Sequence, residues 1–181
     1  MRAINGTAMV VLIVCTTAFA PFADAKRVSG EFSGSGTLAQ LDLDGDGNAT
    51  AGSNVSVGTG TLGPTHGWGV SELSPWDGTS FCSDTELKQF FSASATVTRV
   101  ESGDIYYTRF EDGSLCYNYT DGSFTFSGHD TVTGGTGIFA GATGRIGTTG
   151  KGQVLIRDAN GGAAMSAFSG SIKGDIVLRT R

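Results

Sequence analysis

The sequence predicts an all-β domain, an antiparallel β-barrel of eight or nine strands closed on itself. Three observations predict it. Apolar and polar residues alternate at period two along most of the chain, and helical periodicity is almost absent. Glycine stands at 29 of 181 positions against 3 prolines, about twice the usual share of glycine. Short turns carrying Gly where positive φ is wanted recur between the alternating runs. Aromatic and β-branched residues run throughout, so this glycine richness is not the signature of disorder. Eight or nine strands laid out as an open sheet would expose two edges, and closure removes both.

The elements follow in order. Residues 1–25 read as a signal peptide: Arg2, an apolar run from Ala8 to Cys15, then the small-x-small pattern Ala23-Asp24-Ala25. That run is short for a membrane span and no second one follows. The mature domain is expected to cover residues 26–181. Its first strands are expected at 28–41, 54–62 and 67–73. Ser83–Lys88 reads as one capped helical turn, because Ser83 or Asp84 can cap and Glu86 suits a first turn. Strands at 89–100, 105–110, 114–120 and 123–133 follow, separated by the turns Glu101–Asp104, Glu111–Ser114 and Thr120–Ser123. A glycine-rich run leads into 145–156, and Asp158–Gly162 turns the chain into 163–178. Nothing divides this into two domains.

Removing the leader takes Cys15 and leaves Cys82 and Cys116. In an oxidising compartment, secreted or periplasmic, the pair is most simply one disulfide, worth roughly 3–4 kcal/mol for a loop of this length; the alternative is two buried free thiols. The net charge is −5 and scattered, without a basic stripe. Nucleic acid and anionic membrane surfaces are thereby disfavoured as partners. His66 and His129 cannot make a zinc site alone, and no Gly-x-Ser-x-Gly elbow occurs.

Strand parity selects candidate inward residues. Phe124, Phe126, Asp130 and Val132 share one face; Phe91, Ala93, Ala95, Val97 and Arg99 share another; Trp68, Val70 and Glu72 a third. Glu72, Arg99 and Asp130 thus ride on otherwise apolar faces, where a charge must be paired or functional. The plainer reading sets them at a rim or beyond a bulge. Tyr107, Tyr117, Tyr119, Phe124 and Phe126 crowd neighbouring strands, either as an aromatic lining for a planar ligand or as core filler.

The glycine run Gly134-Gly135-Thr136-Gly137-Ile138-Phe139-Ala140-Gly141-Ala142-Thr143-Gly144 looks at first like a nucleotide loop. A strand, not a helix, is expected after it, and no βαβ unit follows. With the hairpin Tyr107–Leu115 ahead of it, this run resembles the glycine segment of the allene oxide cyclase and dirigent β-barrel superfamily, over residues 105–152. The resemblance implies an allene oxide cyclase-like barrel whose glycines Gly134, Gly135, Gly137, Gly141 and Gly144, with Phe139, serve a tight strand crossing. It implies a lumen for a small apolar or aromatic molecule, no cofactor, and dimers or trimers. Catalysis there would steer a reactive intermediate by shape. Glu72 and Asp130 would be the candidates for proton transfer or cation stabilisation, with Arg99 orienting a polar end. Dirigent proteins carry an Arg where this chain has Thr143, with Arg145 two positions on. The leading expectation is therefore a secreted small-molecule-binding barrel acting as a cyclase or stereochemical guide. Its rival is a non-catalytic structural or envelope-associated barrel with a filled lumen.

One further motif stands apart. Asp42, Asp44 and Asp46 with Gly47 and Asn48 match the front half of a calcium loop. The twelfth position is Ser53 rather than Glu, so a site here would be weak; the alternative is an exposed acidic turn.

Overall fold

The computed structural model describes residues 23–159 and 163–179. Most of the expected leader lies outside the described residues. Its last three positions open the first strand, β1 (Ala23–Leu38), where Ala25 registers against Val177. The chain continues through β2 (Gly52–Gly60), β3 (Gly63–Leu73), a short β4 (Phe81–Ser83), β5 (Glu86–Val100) and β6 (Ile105–Asn118). It ends with β7 (Ser123–Gly135), a single 3-10 turn at Gly137–Phe139, β8 (Thr143–Arg157) and β9 (Ala163–Arg179).

All neighbours pair antiparallel, in the order β3-β2-β1-β9-β8-β7-β6-β5-β4, and β5 returns to pair with β3. Eight strands therefore form one continuous ring of hydrogen bonds, with β4 appended to the start of β5. The expected meander and closure are both present. No long edge is left among these eight strands, which removes the usual route to edge-to-edge aggregation.

The interior fills from two sources. Toward the end that carries the Gly137–Phe139 turn, Val28, Val100, Tyr106, Val132, Phe139, Ala142, Ile146 and Ile176 form the buried cluster. Further along, Phe32, Phe126 and Phe168 meet at ring-centroid distances of 6.2–6.4 Å and stay half-buried. Each of these rings lies over a glycine of a neighbouring strand: Phe32 over Gly170, Phe168 over Gly34, Phe126 over Gly150. A Cβ on Gly150 would sit 2.3 Å from the Phe126 ring. Much of the glycine content thus makes room for aromatic rings inside a narrow ring of strands. The void between Val28, Phe32, Tyr106 and Ile172 measures about 30 Å³, space for one water.

Three local expectations are corrected. The capped helical turn at 83–88 is instead a tight turn between β4 and β5, where the Ser83 hydroxyl donates to Glu86 (2.9 Å). The turn expected at Glu111–Ser114 is a bulge inside one long strand, β6, with register shifting between Glu111 and Ser114. The positive φ falls on Asp112 (52°), not on Gly113, which is buried against the Phe110 ring. Finally, the first strand stops at Leu38. Residues 39–51 leave the ladder and fold back on the ring, burying Ala51.

Cys82 and Cys116 are joined, with Cα atoms 5.9 Å apart. The bond pins β4 and the start of β5 to β6 across a sequence separation of 34 residues.

Candidate functional site

The three charged side chains singled out by parity do not come together. Asp130 is the one inside the ring, on the face it shares with Phe124, Phe126 and Val132. Thr108 of β6 donates its hydroxyl to one Asp130 oxygen (3.0 Å), and Thr148 of β8 donates to the other. Tyr106 lies near this group. Burial pushes the Asp130 carboxyl above the usual range, and the two threonine hydroxyls work against that rise. Burial also pushes the Tyr106 phenol up, with a smaller contribution from the Asp130 charge. The arrangement is a carboxyl group held by two hydroxyl donors on the inner face of the ring. Sequence parity alone could have marked Thr108 and Thr148, since both are polar residues at inward positions of otherwise apolar strands.

Glu72 is 1% exposed yet lies on the outer side of the ring. It does share a face with Trp68 and Val70, but that face points outward, and Trp68 is 47% exposed. The 39–51 segment covers Glu72. Its carboxylate accepts from Leu43 N (2.5 Å), Asp44 N (3.2 Å), Thr50 N (3.2 Å) and Thr50 Oγ1 (3.0 Å). All four partners are donors from one loop, so Glu72 acts as the anchor of that loop.

Arg99 is exposed, and the expected inward face of β5 is corrected. The pairing of β3 with β5 shifts register between Glu72 and Leu73, opposite Ala93 and Phe91, so Ser92 is an extra residue. This bulge reverses parity: Ala95, Val97 and Arg99 point out, and Val100 is buried inside. Arg145 is exposed too, paired with Asp112 at 2.7 Å.

The aromatic set divides in the same way. Phe124 and Phe126 pack with each other in the interior. Tyr117 is half-buried against the Arg157 guanidinium. Tyr107 is 39% exposed on the outside, and Tyr119 is 51% exposed with its hydroxyl donating to Asp84 O. A common lining made of all five does not form.

Gly134–Gly144 closes one end of the ring. Phe139 is fully buried against Tyr106, with centroids 5.3 Å apart. Gly135 lets the chain pass within touching distance of Ile105 O, where a Cβ would sit 2.1 Å away. Gly137, at φ 54°, begins the 3-10 turn that aims Phe139 inward.

The loop carrying Asp42, Asp44 and Asp46 is exposed, and one carboxylate oxygen from each lies within 4.8 Å of the others. The carboxylates already fold the loop: Asp42 accepts from Gly45 N and Gly47 N, Asp44 from Asp46 N, and Asp46 from Asn48 N and Nδ2. The Ser92 hydroxyl, and next the Asp46 amide, hold Asp44 below the usual carboxylate range. These donors suit a hard cation. Ser53, at the position of the missing bidentate ligand, sits in β2 and bonds with Thr37 instead (3.0 Å).

No family model matches the chain, and no curated protein or solved structure matches it either.

Proposed function

We propose that this protein is an exported, non-catalytic β-barrel of the allene oxide cyclase-like type, a structural or envelope-associated module whose interior is occupied by aromatic side chains. The observation that carries this reading is the interior itself. Ligand-binding cavities run to roughly 300–1,000 Å³, whereas the void between Val28, Phe32, Tyr106 and Ile172 is about 30 Å³; the larger recess, about 490 Å³, lies at the end of the ring between Lys26, Thr61, Glu101 and Ile138 and stops at the buried Phe139. The uses made of the acidic residues support the same reading: Glu72 is saturated by loop donors, and Asp130 is held by two threonines. The disulfide is compatible with an extracellular or periplasmic location.

The test is titration with an apolar fluorescent probe, 1-anilinonaphthalene-8-sulfonate, followed by a thermal-shift screen with small aromatic and fatty-acid ligands. The expected result is no saturable binding. Stoichiometric binding that is lost on enlarging a Phe126-facing glycine to Ala would overturn the filled-lumen reading and restore the ligand-binding barrel.

A second reading is favoured by one observation, the convergence of three carboxylates on a loop anchored from below. It holds that Asp42, Asp44, Asp46 and Asn48 take up Ca²⁺ weakly and stiffen residues 39–51. Calcium should then raise the melting temperature and a chelator should return it. An identical melting curve in both would remove this reading.

A further inference from the structure

The recess at the end of the ring has an apolar floor and a charged rim. Leu62, Val100 and Phe139 make the floor, with the exposed Ile138 at one side. Lys26 stands two residues before the buried Val28 on β1, so it shares the inward parity of that strand at the rim. Glu101 follows Val100 in the turn from β5 to β6 and leans over Gly63, where a Cβ would sit 2.6 Å from Glu101 Oε2. Gly63 has φ 76°. One glycine thus turns β2 into β3 and leaves room for the carboxylate. The rim hydroxyls are already used: Thr61 Oγ1 accepts from Ser29 N (3.0 Å), and Ser102 Oγ donates to Asp104 (3.0 Å). Lys26 and Glu101 are not. Among the described residues their side chains form no ion pair or hydrogen bond, with each other or with a third group.

We infer that this recess binds a free amino acid with a large apolar side chain. Its volume, about 490 Å³, lies within the range of small-molecule sites. An apolar floor beneath two unpaired, opposite charges matches an apolar body that carries both an ammonium and a carboxylate group. Lys26 takes the carboxylate, Glu101 takes the ammonium, and the side chain rests on Leu62, Ile138 and Phe139. A neutral apolar molecule leaves both charges unused. A fatty acid meets Lys26 but brings its charge toward the Glu101 carboxylate, and a simple amine does the reverse. The inference goes beyond the filled-interior reading and does not rest on it. Phe139 is 0% exposed and separates the recess from the interior, so a ring occupied by its own aromatic side chains can still hold a ligand at its end. Loss of residues 1–25 leaves Lys26 in the chain.

Amide chemical-shift titration by NMR tests this, with L-leucine, N-acetyl-L-leucine, which lacks the cation, and L-leucinamide, which lacks the anion. L-leucine should shift the amides of Leu62, Gly63, Val100 and Ile138 and saturate with a dissociation constant on the order of a millimolar. Each blocked form should bind about three-fold more weakly, as expected for the loss of one exposed ion pair. The variants assign the charges. E101Q should weaken L-leucine and leave N-acetyl-L-leucine unchanged; K26Q should weaken L-leucine and leave L-leucinamide unchanged. Both positions are exposed, so the far-ultraviolet circular dichroism spectrum should not change in either variant. No saturable shift at tens of millimolar L-leucine would overturn the inference. Equal binding of all three compounds, or tighter binding of octanoate than of L-leucine, would also overturn it. Shifts centred on Phe32 and Phe126 would move the ligand into the interior and overturn the filled-interior reading as well.

Discussion

Replacing Glu72 separates its structural use from any chemical one. In E72A, three backbone amides and one hydroxyl lose their acceptor, together with a side chain that is 1% exposed. Hydrogen bonds to a charged group contribute about 1.5–3 kcal/mol each, but residues 41–50 are exposed and water recovers part of that, leaving a net loss of about 2–4 kcal/mol. E72Q keeps one accepting oxygen and turns an NH₂ group toward two donors, so it should lose about 1–2 kcal/mol. Urea denaturation gives both values, and amide hydrogen exchange localises them: protection at Leu43, Asp44 and Thr50 should collapse in E72A while the β7–β8 ladder is unaffected. A loss under about 0.5 kcal/mol, or unchanged exchange at those three amides, would refute the anchoring role.

Asp130 has a raised folded pKa, so the folded state holds its proton more tightly than the unfolded chain. Its contribution therefore favours the folded state at low pH and is lost as pH climbs from about 3.8 through the raised folded value. D130N, whose amide can accept from one threonine and donate to the other, should be more stable than wild type at neutral pH, with the advantage shrinking as pH falls; thermal melts between pH 4 and 7.5 would show it. F126A removes a ring shared with Phe32, Phe168 and Gly150 and should cost about 3–5 kcal/mol by chemical denaturation. The C82S/C116S double variant reopens a 34-residue separation and should cost about 4 kcal/mol on the chain-entropy account; an unchanged denaturation midpoint would show that β4 is not held by the bond.

The strand order and closure are legible in the sequence because alternation and turn chemistry are local. Residues 123–133 follow this pattern: Phe124, Phe126, Asp130 and Val132 do point inward, and the turn at Thr120–Ser123 places positive φ on Gly122 (79°). What escapes a local reading is anything set by a single extra residue. Ser92 and the Asp112–Gly113 pair look like ordinary strand and turn positions, yet each shifts the register and inverts every side chain beyond it. Arg99 lies outside the ring for that reason alone. Glu72 differs for another: its face is assigned correctly as a set, but its burial comes from a loop more than 20 residues earlier, and no local pattern reports that.

The glycines connect these observations to function. A ligand-holding ring of eight strands needs side chains small enough, or far enough apart, to leave space at its axis. Here the smallest residues do occupy inward positions, as at Gly34, Gly150 and Gly170, but a phenylalanine from a neighbouring strand fills each gap. Branched and aromatic residues are also left on the outside, among them Val55, Trp68, Val97 and Tyr107 on β2, β3, β5 and β6 and Leu155 and Ile156 on β8, and a side chain such as Trp68 at 47% exposure gains little there without a partner.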